Sequence, residues 1–296
     1  MKLSILGCNG FLSTAIAKYA NAKGWELDMY GLDEPQGHSF SRFIKCNLMD
    51  AELDCAPLLD SDVIIYAIGA GIQSNLKEGF NLIYNLNVTV PVTICNKLKE
   101  LEFKGCFVTF GSVFEMGETR EERFFTEEEV LTSVAPAPSD YVVSKRMLSR
   151  FVTSYRHDFT HWHFIIPTIY GPGENPRRLI PYTVNAIRNG EELHFTAGDQ
   201  TRQYICVNEV PRMLETAFKK QLPSGMYNIQ GKETLTVREI VSIIHHSLGR
   251  EVQDGCFGTA QRTDVGMKFL ALDGRKLHKA TGFEATIKIE DVIESY

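Results

Sequence analysis

Tyr141 and Lys145, four residues apart, are the side chains that could together carry proton chemistry in this chain. Apolar residues recur with a helical period between positions 142 and 152, so the spacing predicts a helix over Tyr141 to Tyr155 that presents both side chains on one face. A phenol with a pKa of ~10 exchanges protons poorly at neutral pH, whereas a neighbouring ammonium favours the phenolate. The pair predicts a tyrosine general acid or base, provided that other elements place a reacting group beside it.

The first thirty residues predict the strand, glycine turn and helix of a dinucleotide-binding fold. Residues 2–6 are apolar and run into Gly7 to Gly10, a helix is expected over Thr14 to Lys23, and a second strand over Leu27 to Tyr30. Glycines let the backbone approach a pyrophosphate, and a helix N-terminus supplies free N–H groups. Ser13 stands where this pattern has its third glycine, which predicts a slightly displaced helix.

The segment after the second strand bears on which dinucleotide is bound. An acid there would hold the adenosine ribose, and an arginine would accommodate a 2′-phosphate. The expected position is Gly31, Asp33 lies two residues later, and no lysine or arginine occurs from 24 to 41. The pattern favours NAD over NADP but leaves both open, since an ordinary surface turn explains the segment equally well.

The alternation of strands and helices predicts an α/β fold, a Rossmann-type doubly wound parallel sheet with a smaller C-terminal α/β substrate domain. We predict a dinucleotide-binding domain over residues 1–165, to which 203–220 return, and a substrate domain over 166–296. The expected strands are Phe43 to Cys46, Asp62 to Ile68, Cys106 to Phe110, Leu193 to Thr196, Gln203 to Val207 and Met226 to Ile229. The expected helices include Asn81 to Glu100, Pro181 to Asn189, Asn208 to Lys219 and Val237 to Leu248.

The composition limits the classes of molecule that the protein could bind. A net charge of -6 and a pI near 5.8 argue against nucleic acid, so an anionic small molecule would need a local set of arginines. The seven cysteines form no Cys-x-x-Cys pair and no metal spacing with histidine, which predicts reduced thiols and no metal site. The chain opens directly into a strand and has no apolar run of ~20 residues, so we expect a cytoplasmic protein without a membrane span.

A series of further motifs follows the same order along the chain. They are Gly7-x-x-Gly10-Phe11-Leu12, Asp62 to Ala67, Asn87, Ser112 five residues before Gly117, Tyr141-x-x-x-Lys145, Tyr170-Gly171-Pro172-Gly173, Leu179 to Tyr182, Gly198 to Val207, and Lys276-x-x-x-x-x-Gly282-Phe283. In order and spacing they resemble the extended short-chain dehydrogenase/reductase superfamily. Within it, the chain is similar to the nucleotide-sugar epimerase/dehydratase/reductase group over nearly its whole length.

The resemblance implies roles for a catalytic set and for a bound NAD or NADP. Ser112 would hydrogen-bond the reacting oxygen, Tyr141 would pass its proton, and Lys145 would hold the nicotinamide ribose and tune Tyr141. The cofactor would be held by Gly7, Asn9, Gly10, Phe11, Leu12, Asp33, Asn47, Leu48, Ala67, Ile68, Gly69, Asn87, Tyr141, Lys145 and Pro167.

The resemblance also implies a nucleotide-diphosphate sugar as the substrate. The residues that would bind it are Ser112, Thr168, Leu179, Arg202 and Arg262. Two guanidiniums suit a diphosphate because planar forks bind phosphate oxygens in pairs. Arg202 has an alternative as a surface residue that pairs with Asp199. Thr168 stands where much of the family has asparagine, and Ile165 where many members have arginine.

The loop after Ser112 separates the possible reactions. The family's 4,6-dehydratases carry an Asp-Glu pair directly after this hydroxyl residue, whereas this chain has Val113 and Phe114, and Glu115 comes one residue too late. We therefore predict a reductase of a 4-keto-6-deoxy sugar nucleotide, with a 4-epimerase as the alternative and a non-catalytic dinucleotide-binding regulator as the second. The family also implies a homodimer through the helices Asn81 to Glu100 and Tyr141 to Tyr155.

Overall fold

The computed structural model describes residues 1–50, 52–72, 77–252, 255–260 and 267–296. The strands are β1 (Lys2–Leu6), β2 (Glu26–Gly31), β3 (Arg42–Lys45), β4 (Val63–Tyr66), β5 (Cys106–Ser112), β6 (Phe124–Phe125), β7 (Thr160–Ile166), β8 (Thr168–Tyr170), β9 (Thr201–Cys206), β10 (Gly225–Asn228), β11 (Glu233–Thr236) and β12 (Phe269–Leu272). The α-helices are α1 (Phe11–Ala22), α2 (Phe80–Tyr84), α3 (Val90–Glu100), α4 (Glu127–Thr132), α5 (Asp140–Ser154), α6 (Leu179–Asn189), α7 (Glu209–Lys219), α8 (Val237–Ser247) and α9 (Arg275–Thr281).

Among these residues, seven strands form one parallel sheet in the order β10-β7-β5-β4-β1-β2-β3. All four residues of β4 and all seven of β5 are buried, as is typical of parallel strands covered on both faces. The strand order reverses between β1 and β4, which is where ligands bind in such sheets. This confirms the predicted Rossmann-type doubly wound fold.

A smaller sheet lies beside the first and has the order β11-β9-β12-β6, with β8 also paired to β9. Helices α6 and α8 contact each other over it. Helix α7 packs against α1, and β10 completes the large sheet. Within the predicted returning segment, residues 203–206 belong to the small sheet, so the predicted domain limits stay a prediction.

Two sequence predictions need correction. The expected strand Leu193 to Thr196 is wrong, because among the described residues this segment makes only a bridge from Phe195 to Phe257. Leu193 and Phe195 are buried and His194 between them is exposed, which imitates the alternation of a strand. Phe195 is buried because it packs against the rings of Tyr182 and Phe257. The expected continuous helix over 81–100 consists of α2, a π-helical turn at Asn85–Thr89, and α3.

No helix of the described segments combines the length and the hydropathy that crossing a bilayer requires.

Candidate active site

A cleft of about 550 Å³ lies at the carboxyl ends of β1, β2 and β4. Of the predicted cofactor-binding residues it is lined by Gly7, Asn9, Gly10, Asp33, Asn47, Leu48, Ala67, Ile68 and Gly69. Phe11 and Leu12 form the first turn of α1, and Pro167 is buried between β7 and β8. The sheet topology therefore collects in one place residues that are far apart in sequence.

The glycine turn at the head of this cleft leaves no room for a side chain. Gly7 has a φ of 92°, and a Cβ there would lie 2.4 Å from Ile68 Cγ1. Gly10 is the N-cap of α1, so the first N–H groups of this helix face the cleft. The hydroxyl of Ser13 accepts from Gly10 N and donates to Gly10 O, both at 3.0 Å. Serine at this position therefore fastens the turn to α1.

The side chain of Cys8 explains why position 31 has no acidic residue for the adenosine ribose. A Cβ at Gly31, the position expected for that acid, would lie 2.4 Å from Cys8 Sγ. Asp33 lines the same cleft, and its carbonyl accepts hydrogen bonds from Asn9 Nδ2 at 3.0 Å and from Cys8 Sγ at 3.3 Å. The turn around Cys8 thus excludes a side chain at Gly31 and holds the backbone of Asp33 instead.

Asn87 fastens the far wall of the cleft. This fully buried side chain accepts from Ala70 N at 3.0 Å, donates to Ala70 O at 2.9 Å, and donates to Ser144 Oγ at 2.9 Å. A Cβ at Gly69 would lie 3.7 Å from Asn87 Oδ1 and 3.9 Å from Lys145 Nζ. The π-helical turn therefore connects the loop after β4 to the helix that carries Lys145.

The three predicted catalytic residues come together beside this wall. Ser112 ends β5, Tyr141 lies in the first turn of α5, and Lys145 follows one turn later. The Lys145 ammonium lies 5.9 Å from the centre of the Tyr141 ring and donates to Phe110 O at 2.9 Å. The predicted cluster of hydroxyl, phenol and ammonium groups is thus present at the end of the sheet.

The protonation of this cluster differs from the sequence expectation. Burial raises the pKa of Tyr141 to about 12, against a smaller lowering by its hydrogen bond with Ser112. Burial also lowers the pKa of Lys145 to about 8, which the neighbouring Glu115 partly offsets. We expected Lys145 to depress the pKa of Tyr141, but the ammonium turns to Phe110 O and desolvation of the phenol dominates. At neutral pH, Tyr141 therefore holds its proton.

Glu115 is a part of the site that the sequence analysis missed. Its side chain is 0% exposed and accepts from Ser112 N at 2.7 Å and from the Ser149 hydroxyl at 2.6 Å. Burial raises the pKa of this carboxyl, while these donors and nearby Lys145 favour the ionised form. The available signal was the Ser-x-x-Glu spacing from Ser112, which is that of a capping box.

Arg146 was missed as well. Its guanidinium donates to the carbonyls of Glu115 at 2.6 Å, Ala135 at 2.9 Å and Met116 at 3.0 Å. The residue follows Lys145 directly on α5, so these bonds attach the loop after Ser112 to α5. Nothing in the local sequence distinguishes this arginine from an exposed one.

A second cavity, of about 600 Å³, lies between α6 and the small sheet. It is lined by the predicted substrate residues Thr168 and Leu179, and by Arg177 and Arg178, which the sequence analysis did not assign. Arg178 forms an ion pair with buried Glu174 at 3.2 Å. The cavity combines cationic side chains with apolar and aromatic walls, which suits an anionic ligand that carries a ring.

Arg202 lies on β9, two residues before Tyr204, which lines this second cavity. Side chains two apart on a strand share a face, so Arg202 belongs to the same side of β9 as Tyr204. Its guanidinium donates to Thr201 O at 2.8 Å and to Lys268 O at 3.3 Å. Asp199, the alternative partner considered above, is bound by Arg238 at 3.3 Å. Arg262, the second predicted arginine, lies outside the described residues.

The sequence pattern of the family described as "NAD dependent epimerase/dehydratase family" matches residues 3–229. The low-salt glycan biosynthesis protein Agl12 of Haloferax volcanii is 25% identical over 268 residues, which cover 87% of this chain and 81% of that protein. The CDP-abequose synthase of Salmonella muenchen is 22% identical over 204 residues, or 67% of this chain and 64% of the relative.

Among solved structures, the dTDP-glucose 4,6-dehydratase of Bacillus anthracis in complex with NAD superposes with a TM-score of 0.82. The two sequences are 19% identical, and the alignment covers 100% of this chain and 94% of the dehydratase. At this identity the similarity shows a common fold.

Proposed function

The chain belongs to the NAD dependent epimerase/dehydratase family, and on that premise we propose that it reduces a nucleotide-linked 4-keto-6-deoxy sugar, with Tyr141 as the proton donor. The observation that carries this proposal is the cluster of Ser112, Tyr141 and Lys145 at the cleft, in which the phenol holds its proton at neutral pH. Reduction of a ketone needs a hydride and a proton donor, and this state of Tyr141 supplies the proton.

The cleft beside the cluster fits a dinucleotide. Gly7 leaves space for close approach of a pyrophosphate, and the first turn of α1 offers N–H groups to it. Asp33, which lines the cleft, is the acidic group for the adenosine ribose, and the absence of lysine and arginine from 24 to 41 favours NAD over NADP. When bound, the nicotinamide would supply the hydride.

The chain's own groups then act on one oxygen of the sugar. The Ser112 hydroxyl donates a hydrogen bond to the carbonyl oxygen, and Tyr141 transfers its phenolic proton to the same oxygen as negative charge develops there. Lys145 stabilises the phenolate that remains until Tyr141 recovers a proton from solvent. Glu115 and Arg146 hold the Ser112 loop against α5, which keeps the Ser112 hydroxyl next to the Tyr141 phenol during the reaction.

The loop after Ser112 supports reduction over dehydration. Val113 and Phe114 cannot move a proton, and the one carboxyl that follows, Glu115, is fully buried and already bound by Ser112 N and Ser149. Elimination of water needs an acid and a base that reach the sugar. A 4-epimerase would use the same cluster and is the second candidate, because the family description names epimerases.

The second cavity is the proposed substrate site. Thr168 and Leu179 line it, Arg177 and Arg178 contribute positive charge, and Arg202 shares a face of β9 with the lining residue Tyr204. We assign the diphosphate to these arginines and the base to the aromatic wall. With a net charge of -6, the protein as a whole does not attract an anionic substrate, so local arginines must do so.

A mass-spectrometric screen tests this function. The purified protein is incubated with several 4-keto-6-deoxy sugar nucleotides and with NADH or NADPH. A reductase yields a product heavier by two hydrogens and consumes one reduced cofactor per turnover. An epimerase instead yields an isomer of unchanged mass from a nucleotide sugar and catalytic NAD. Binding of NADH without turnover of any sugar nucleotide would contradict both reactions and favour a regulator.

A further inference from the structure

A second group of chemically active side chains lies at the edge of the sheet away from the cofactor cleft. His161 is the second residue of β7, whereas Ile166 at the other end of that strand pairs with Ser112. Cys95 on α3 and His157 in the segment before β7 lie beside it, and the three possible ligand atoms are all within 4.8 Å of one another. The residues come from separate elements, which explains why sequence spacing predicted no metal site.

The state of His157 follows from its hydrogen bond to a carbonyl. Its Nδ1 lies 3.0 Å from Phe159 O, and because a carbonyl only accepts, Nδ1 must carry the hydrogen. The ring is stacked on Phe159 with centroids 4.2 Å apart and an angle of 9° between the planes, which fixes its orientation. With its hydrogen on Nδ1, a neutral His157 imidazole has a bare acceptor at Nε2.

His161 is the end of a buried chain of hydrogen bonds that begins at Glu115. Ser149 Oγ lies 2.6 Å from the Glu115 carboxyl and 2.9 Å from His163 Nε2. His163 Nδ1 lies 2.8 Å from Thr109 Oγ1, which lies 2.9 Å from His161 Nε2. Each hydroxyl has one hydrogen and each neutral imidazole has one, so the direction of one bond determines the direction of all the others.

This constraint decides what faces His157. When Glu115 is ionised, Ser149 donates to it, and each donor further along must also point toward Glu115. His161 then donates from Nε2 to Thr109, which leaves His161 Nδ1 bare. This nitrogen lies 3.2 Å from the bare Nε2 of His157. Two lone pairs at this separation repel each other unless a cation lies between them.

We propose that Cys95, His157 and His161 bind a divalent transition metal of the zinc type, through one thiolate and two neutral imidazoles. Thiolate and imidazole ligands select such ions, and the thiol proton is released to solvent when the metal binds. Both imidazoles have a partner on the opposite nitrogen, Phe159 O for one and Thr109 for the other, as metal-binding histidines do. A water would complete the coordination from the half-buried side of His157.

The distance between the nitrogens fits such an ion. Two imidazole nitrogens about 2.0–2.1 Å from a tetrahedral zinc are about 3.3 Å apart, and His157 Nε2 and His161 Nδ1 are 3.2 Å apart. The separation of the two nitrogens therefore needs almost no change, and the Cys95 thiol, which lies within 4.8 Å of both, would move closer.

The test is metal binding by the intact chain, independent of catalysis. The protein is stripped with a chelator, titrated with Zn²⁺ against a chromophoric competitor, and examined by native mass spectrometry. We expect one ion per chain. Cys95→Ser and His157→Gln should each weaken binding by more than the ~10- to 100-fold that loss of an outer partner costs. Cys55→Ser is the matched control, because Cys55 is a buried thiol in the same apolar cluster as Cys95. The Cys55→Ser protein should bind zinc as tightly as the parent.

Cobalt supplies a second measurement that does not depend on how well the variants fold. Co²⁺ bound to the parent protein should show thiolate-to-cobalt charge-transfer absorption, which is lost when Zn²⁺ displaces it. Absence of stoichiometric binding at micromolar free Zn²⁺, or binding without the thiolate signature, would overturn the proposal. A hydrogen on His161 Nδ1 would then lie between the two imidazoles, and Glu115 would be protonated at the other end of the hydrogen-bond chain.

Discussion

Replacing Lys145 by methionine tests how charge controls Tyr141. Methionine keeps a similar length and removes the ammonium, which lies 5.9 Å from the centre of the phenol ring. At an effective dielectric constant of ~20, a unit charge at that distance stabilises the phenolate by about 2.8 kcal/mol, equivalent to about two pKa units. The pKa of Lys145 is about 8, so this effect is present below pH 8 and is lost above it.

The assay is the pH dependence of hydride transfer in the direction that oxidises the sugar hydroxyl, where Tyr141 must accept a proton. Tyr141 holds its proton throughout this range, so kcat/KM should rise with pH in both proteins. Below pH 8 the Lys145→Met protein should be slower by up to about 100-fold, besides any uniform loss from weaker ribose contacts. Above pH 8 this difference should shrink, because the ammonium of the parent loses its proton there. Lys97→Met, on the exposed side of α3, is the control and should leave the pH profile unchanged.

Phenolate absorbance in the ultraviolet, measured with NAD bound, follows the ionisation of Tyr141 without a substrate and should show a protonated phenol at pH 7 in both proteins. Each protein is compared with its own Tyr141→Phe derivative, so the difference reports Tyr141 alone. A rate difference between the parent and Lys145→Met proteins that stays the same across pH 8 would refute the electrostatic role and leave Lys145 as a ribose contact only.

Four further predictions follow from the site. Tyr141→Phe should lower turnover by at least ~100-fold with near-normal cofactor binding, measured by steady-state kinetics and cofactor fluorescence, because it removes the proton donor and keeps the ring. Arg202→Ala should raise the KM by ~10- to 150-fold, with partial rescue by lysine, and weaken binding of the nucleoside diphosphate in calorimetry; unchanged affinity would assign Arg202 to the backbone alone. Asn87→Leu should lower the free energy of unfolding by about 2–5 kcal/mol, because two buried backbone groups lose their partner, whereas Asn81→Leu on exposed α2 should not. The chain should be a homodimer by light scattering at micromolar concentration, since the contacting helices α2 and α5 expose the apolar residues Phe80 (63%), Val143 (37%) and Met147 (47%); a monomer would contradict this.

The fold and much of the cofactor cleft could be predicted because their signals are local. Gly7 and Gly10 stand between a strand and a helix, and the apolar run at β4 marks a covered parallel strand. The carboxyl ends of such strands meet at one edge, so Ala67, Ile68 and Ser112 could be assigned to it without knowing any contact. For these residues, a position at the carboxyl end of a predicted parallel strand is enough to give the place in the fold.

The residues that were missed depend on contacts between distant segments. Burial of Glu115 depends on where α5 places Ser149, and Arg146 resembles any helical arginine until its three carbonyl partners are known. The raised pKa of Tyr141 likewise depends on desolvation, which sequence spacing does not reveal. Gly31 is explained only by the position of the Cys8 thiol.

The late arrival of β10 has a consequence for folding during synthesis. β7 pairs with β5 on one side and with β10 on the other, but β10 is made about sixty residues after β7 ends. Until then, one edge of a buried strand rich in aromatic and β-branched residues has no backbone partner. Such edges recruit strands from other chains. A nascent chain that stalls before residue 225, or one truncated near residue 165, should therefore aggregate, and chaperones that cover strand edges should improve its yield.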